Sequence, residues 1–274
     1  MYYRHDLDYK YPDRSDKHML VLKSTREIHL DKDYDYMPRG ALFKIKRAGV
    51  AVLLHLIVFP LMRLTHGLRI HGRKNLKMHK KELKNGAITV SNHVFMWDYL
   101  CVQKAIRPHI SYFPAWKPNF ESGFQPLMRI IGGMPIPEGD IHSMAAFKKD
   151  MDKVVESGKW LHVFPEGSLW YFYPDIRPLK PAAFLYAAKY DKPLIPMSMS
   201  FRPRKGFRRI FGKGPFVDLH ISEPIYRNKD LPMREAAEDL RKRAYHIMQV
   251  MNGINPGDPT YNVDQNIDNY RSTM

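Results

Sequence analysis

Read from its N-terminus, the chain changes pattern twice. Residues 1–40 are polar, balanced in charge and weakly periodic, which predicts an extension with a little packed structure. The most apolar run follows at 49–62, GVAVLLHLIVFPLM, in which His55 is the only ionisable residue. From Gly67 onward, apolar runs of strand length alternate with stretches of helical spacing. Strands are expected at Leu68–His71, Ala87–Val90, His109–Phe113, Trp160–Phe164, Pro193–Ser200 and Val217–Ser222. Helices are expected over Trp97–Ile106, Ile141–Ser157 and Pro181–Tyr190. Near the end Met233, Ala237, Leu240, Ala244, Ile247 and Met251 recur at helical spacing, the mark of an amphipathic helix packed on the body. The alternation predicts an α/β fold over 67–253, a mixed central sheet flanked by helices, preceded by a helical segment at 41–66. Residues 254–274, with two prolines, four asparagines and few large apolar side chains, are expected to form a flexible tail.

Charge sharpens the reading of the apolar run. The net charge is +16, and two stretches account for all of it. Lys44–Lys84 holds eleven Lys/Arg against Glu82, and Arg202–Lys213 holds six with no acid. Fields so concentrated predict an anionic partner such as lipid headgroups or nucleic acid. A spanning helix needs about 20 apolar residues, so the run at 49–62 is too short to cross a bilayer alone. Its basic flanks, Lys44, Lys46, Arg47 and Arg63, suit a helix lying in the headgroup region. In FRPRKGFRRIFGK (201–213) Phe201, Phe207 and Phe211 interleave with basic residues. That composition fits a membrane-facing hairpin, and a single-stranded nucleic acid groove would use it too.

Cys101 is the only cysteine, so no intrachain disulfide or cysteine metal site is available. The thirteen histidines show no HExxH or similar ligand spacing, so no metal is expected. The opening MYYRHDLDYKYPDRSD lacks the basic-then-apolar order of a signal peptide. Together these predict a peripheral or monotopic protein on the cytoplasmic face of a membrane.

Two segments carry chemistry. In AITVSNHVFMWD (87–98) a short apolar strand ends at Val90, and Ser91, Asn92 and His93 follow at once. Residues just past such strand ends line the ligand crevice of α/β sheets. His93 and Asp98 are five apart; where a loop turns into a helix, the carboxylate can fold back onto Nδ1–H and leave Nε2 as a proton acceptor. Alone, this pair favours an ordinary structural histidine. In WLHVFPEGS (160–168) a second buried strand ends in a Pro–Glu–Gly turn, which places Glu166 at a strand end where Gly167 admits a close ligand.

Taken together, NHVFMWD (92–98) and FPEGS (164–168) resemble the NHx4D and FPEG motifs of the glycerolipid acyltransferases, which include the lysophosphatidic acid acyltransferases. Further segments resemble that family in its own order: RIHGRKNL (69–76), KPNFESGFQPLMRIIGGMPI (117–136), PLIPMSMS (193–200) and ISEPI (221–225). The resemblance spans about residues 68–225. It implies transfer of a fatty acyl group from acyl-CoA or acyl-carrier protein, as co-substrate, to a lysolipid hydroxyl in phospholipid biosynthesis. The acceptor would be 1-acylglycerol-3-phosphate, with no cofactor and no nucleic acid partner. It casts His93 as general base and Asp98 as its orienter. Asn92 and Gly167 would border the acceptor, Glu166 would contact its polar head or order the loop that does, and Lys117 and the amides of Gly132–Gly133 would stabilise the oxyanion.

Two departures bear on the acceptor. Where the family's second motif ends in arginine, GGMPIPE (132–138) has Glu138; where FPEGTR is usual, FPEGSL has Leu169. The resemblance assigns those arginines to the acceptor's phosphate. Either Arg177 and Lys180 in DIRPLKPAAF replace them, or the acceptor is a lysolipid with a zwitterionic, sugar or amino headgroup. A non-enzymatic basic membrane- or nucleic-acid-binding protein would also account for the charge, but it leaves His93, Asp98 and Glu166 at strand ends without a use.

Overall fold

The computed structural model describes residues 7, 9–15, 17–19, 22–123 and 125–254. Most of the tail expected at 254–274 lies outside the described residues. Seven strands form one mixed sheet: β1 (Arg69–His71), β2 (Ile88–Val90), β3 (Ser111–Trp116), β4 (Gly133–Ile136), β5 (Trp160–Val163), β6 (Leu194–Arg202) and β7 (Phe216–Ile221). Their order is β1-β7-β6-β2-β5-β3-β4, parallel throughout except for the antiparallel β6–β7 pair. The interior strands are apolar on both faces because helices cover both sides of a parallel sheet. Neighbours within a strand accordingly enter opposite cores. Leu161 and Leu194 pack on one side, and Trp160 and Ile195 on the other.

Along the chain the helices are α1 (Ala41–Thr65), α2 (Arg73–Met78), α3 (Asp98–Ala105), α4 (Pro118–Glu121), α5 (Gln125–Ile130), α6 (Ile141–Glu156), α7 (Ala182–Lys189) and α8 (Met233–Met251). In α6 the Asp140 side chain caps the helix by accepting the N–H groups of His142 and Ser143, a contribution of about 1 kcal/mol. Ala236, Ala237, Leu240, Ala244, Tyr245 and Met248 form the buried face of α8. The short elements α2, α4, α5 and β4 were not resolved by periodicity. Four residues containing Gly133 and Pro135 carry no alternation to read.

The helical segment expected at 41–66 is present as one helix: α1 runs unbroken for 25 residues through a π-turn at Leu54–Val58, well beyond the fourteen-residue apolar run 49–62 that alone is too short to span a bilayer. By length and composition alone it could cross a membrane. Instead of standing apart, it lies on the body: Leu54, Phe59 and Met62 are buried in the core that holds α3. The opposite face leaves Leu42, Ile45, Val52, Leu56 and Leu61 more than half exposed. The packed structure of residues 1–40 includes two core side chains, Tyr36 and Met37. Thr25 and Arg26 also donate their backbone N–H groups to Glu121 O.

Candidate active site

The chain beyond β2 is pinned from both sides. Ser91 N–H donates to Val163 O of β5 at 3.4 Å. Asn92 grips β6 with two bonds, Nδ2 to Met199 O at 2.9 Å and Met199 N–H to its Oδ1 at 2.7 Å. Asn92 is fully buried, so its amide fixes the strand end rather than facing a substrate as the sequence reading had it.

His93 is the first side chain past this clamp and keeps 23% of its surface exposed. Its Nδ1 lies 2.5 Å from Oδ2 of Asp98, which is 2% exposed. Asp98 opens α3, and its other oxygen accepts the N–H of Tyr99 at 2.7 Å. The carboxylate is therefore held by the helix start, where the helix dipole favours negative charge. With Nδ1 carrying the proton, Nε2 is the basic nitrogen, and it has no partner among the described residues. Phe164 stacks on the imidazole at 4.1 Å and limits its rotation.

Glu166 reaches the same loop from β5. Its Oε2 accepts the backbone N–H of His93 at 2.9 Å, and Oε1 accepts the backbone N–H of Arg177 at 2.8 Å. The Arg177 guanidinium closes the frame, 2.7 Å from Glu166 Oε2 and 2.6 Å from Ser168 Oγ. It also donates to the carbonyls of Ser15, His93 and Ser168 and stacks over Trp170. Glu166 and Arg177 are 1% and 3% exposed.

Of the two roles expected for Glu166, contact with the acceptor and ordering of the loop, the geometry fits the second. The expectation for Arg177 is corrected: it is not available as a phosphate cation, because it and Glu166 are consumed in a buried ion pair that supports the His93 loop. Lys180 is different. It is half-buried, makes no ion pair among the described residues, and its ammonium lies against Gly167. A Cβ at residue 167 would fall 2.7 Å from Lys180 Nζ and displace that flexible side chain, and φ there is +80°, the left-handed region that favours glycine.

The proposed oxyanion donors do not assemble. Gly133 starts β4, three strands from β2 and roughly 14 Å across the sheet at the usual strand spacing. Met128 O and Phe120 already fill the space beside it. Lys117 follows β3 on the correct edge but is paired with Glu121 at 3.2 Å. Glu138 is exposed and Leu169 is buried, so neither substitutes for the missing arginines.

Sequence reading missed His162, which is wholly buried beneath the site. Thr89 Oγ1 lies 2.9 Å from its Nδ1, and Ser91 Oγ lies 3.5 Å from its Nε2. Burial, reinforced by the nearby His93, pushes its pKa down to about 3, so it is neutral at physiological pH. Its signal was present as one polar residue inside an apolar strand, four positions before Glu166. Ser168, also fully buried, was missed for want of any pattern.

Comparison with known proteins bears on this arrangement. Residues 67–200 match the model of a protein family described as Acyltransferase. A search of curated proteins finds no match. Among solved structures, the 1-acyl-sn-glycerophosphate (LPA) acyltransferase PlsC from Thermotoga maritima is similar at 19% identity. The similarity covers 66% of this chain and 72% of that one, with a TM-score of 0.45. The family match encloses β1 through most of β6, with His93, Asp98, Glu166 and Lys180 inside it, and on that basis residues 67–200 form a region of the acyltransferase family, the one the motifs resemble.

Proposed function

We propose that the protein is an O-acyltransferase that moves a fatty acyl group from a thioester, acyl-CoA or acyl-carrier protein, to the free hydroxyl of 1-acylglycerol-3-phosphate at a membrane surface. The observation that carries this reading is the 2.5 Å contact between His93 Nδ1 and Asp98 Oδ2, with Nε2 left without a partner among the described residues. Nε2 removes the proton of the acceptor hydroxyl as that oxygen attacks the thioester carbonyl carbon. The tetrahedral intermediate collapses by breaking the carbon–sulfur bond, and the imidazolium returns its proton to the departing thiolate. Asp98 fixes the tautomer and stabilises the imidazolium. Glu166 and Arg177 act through the loop: they position His93 and touch neither substrate. Lys180 supplies the cation for the acceptor's phosphate.

The membrane reading rests on the exposed apolar face of α1 and on a neighbouring turn. Gly206–Phe211, between β6 and β7, exposes Phe207 and Ile210, and the adjacent Arg204 bonds the carbonyl of Thr65 at 2.6 Å. Both apolar surfaces, with the basic residues that flank them, suit an anionic bilayer.

The test is to incubate the purified protein and acyl-CoA with a panel of lysolipids and to identify products by mass. A diacyl phosphate product formed by the wild type and absent with His93→Ala is expected. Acylation of only neutral-headed lysolipids would refute the phosphate acceptor, and no acyl product from any lysolipid would refute the reading altogether.

A further inference from the structure

Two cavities lie under α1, away from His93. The first, about 450 Å³, is lined by Arg63, Arg73, Lys104, Arg107 and Arg208 together with Phe59, Pro60 and Leu64. Among the described residues no carboxylate lines it and none of the five cations makes an ion pair. Burial and the neighbouring charges of Arg63 and Arg73 lower the pKa of Lys104, as expected for cations gathered without a counter-ion. The second, about 360 Å³, is mainly apolar, with Val50, Leu54, Ile110 and Ile131 among its walls.

The two cavities share His55, Phe59 and Arg107. His55 has its Nδ1 occupied by Ala51 O at 2.6 Å, while its buried Nε2 has no hydrogen-bond partner among the described residues. The pair of cavities thus combines a cationic end, an apolar end and an unsatisfied nitrogen where they meet. They open beside the exposed apolar face of α1. They are also separate from the dyad: Lys104 is six residues, about 9 Å of helix axis, beyond Asp98. Ile110 precedes the start of β3, whereas His93 follows the far end of the parallel β2.

We infer that these cavities form a binding site for an anionic membrane phospholipid that is not turned over, its phosphodiester held by Arg63, Arg73, Lys104, Arg107 and Arg208 and one acyl chain lying in the apolar cavity. A phosphate needs several cationic donors, and arginine supplies them in paired form. A free inorganic anion would use the cationic end alone and leave the apolar end without a role. The bound lipid ties α1 to α3, because its headgroup bridges Arg63 on one helix and Lys104 on the other. The inference does not depend on acyl transfer.

The test is calorimetric titration of the full chain with a short-chain soluble phosphatidylglycerol below its micelle concentration, with the matching phosphatidylcholine, and with inorganic phosphate. Saturable binding of the anionic lipid, at least about tenfold tighter than either alternative, is expected. Arg63→Gln/Arg107→Gln should weaken it about tenfold or more, since two of the five cations that face the phosphate are lost. Both side chains are exposed at the cavity mouth, so the variant should fold, which a thermal melt checks. Lys77→Gln/Lys81→Gln removes equal charge from the same basic stretch outside the cavity and should change binding less than about twofold. His93→Ala should bind as the wild type does, which separates this result from any failure of the catalytic reading. Equal binding of the neutral lipid, equal loss in the Lys77/Lys81 control, or phosphate binding as tight as the lipid would each overturn the proposal.

Discussion

Glu166 and His93 are joined through the main chain: the N–H of His93 donates to Glu166 Oε2 at 2.9 Å, and that same oxygen takes the Arg177 guanidinium at 2.7 Å. One buried carboxylate therefore ties the loop after β2 to the loop after β5. Glu166→Gln leaves the Arg177 charge buried without its counter-ion, and loss of one partner of a buried pair costs about 3–5 kcal/mol. Thermal melting should fall on the order of 10 °C. Glu166→Gln/Arg177→Met, which removes both charges, should lose less than the sum of the single changes. Strict additivity in a double-mutant cycle would show that the pair is not coupled.

His93→Ala should lower turnover by about 10²–10⁴, the usual contribution of a general base, with little change in thermal stability because the ring is partly exposed. Asp98→Asn keeps an oxygen for the Tyr99 N–H but can place an amide N–H against Nδ1, which favours the wrong tautomer. Turnover should fall strongly while KM for acyl-CoA changes little. Steady-state kinetics on both variants decides the matter; an active Asp98→Asn enzyme would remove Asp98 from the mechanism.

Lys180 is the cation left over once Arg177 is committed to Glu166. Lys180→Gln should raise KM for lysophosphatidic acid by about tenfold and leave KM for acyl-CoA near its wild-type value. Arg177→Ala should instead reduce stability and turnover together, without preference for one substrate. A selective KM effect in Arg177→Ala would reverse these assignments.

His162 sets a pH dependence. Its pKa is pushed down to about 3 in the folded protein, against about 6.5 for the residue unfolded. Between those values the unfolded chain binds the extra proton. The stability linked to His162 is intact above about pH 6.5 and is lost as the pH falls, at about 1.4 kcal/mol per unit. His162→Asn, which keeps an acceptor for Thr89, should show a flatter fall in melting temperature between about pH 6.5 and 4. Parallel curves for variant and wild type would mean that His162 does not titrate this way.

Leu42, Ile45, Val52, Leu56 and Leu61 project from α1 without contributing to the core. Replacing three of them by serine should leave the melting temperature within a few degrees, yet abolish flotation with anionic liposomes. Raising salt in the wild type should weaken flotation less, because screening acts on charge and not on apolar burial. Retained flotation of the triple variant would place the membrane surface elsewhere.

The sheet was legible where its strands are buried on both faces, because runs such as AITV and WLHV have no other use in a soluble domain. The dyad was legible because both residues lie on one short segment. What pattern could not supply was direction of approach. Nothing in DIRPLKPAAF distinguishes an arginine facing solvent from one folded beneath its own loop, and only Ser15, Ser168 and Glu166 in space make Arg177 internal. Gly133 failed for a related reason. A motif fixes the order of residues along the chain, whereas strand order sets their distance, and β5 and β3 intervene between β2 and β4.

The N-terminal segment meets the site through backbone carbonyls and through the Tyr11 ring, which stacks on Trp170 at 5.7 Å, and that has a practical meaning for anyone trimming the gene. Ser15 O receives Ser168 Oγ at 2.6 Å and Arg177 at 3.0 Å, and Lys17 O receives the Trp170 indole at 2.8 Å. A chain cut back to the family match at residue 67 keeps every residue of the His93 frame and yet loses these acceptors. Such a fragment would carry an under-satisfied guanidinium, hydroxyl and indole beneath the turn that Glu166 occupies. Its borders, drawn from similarity, would not be the borders of a folding unit, because carbonyls and aromatic rings that precede residue 20 contribute here.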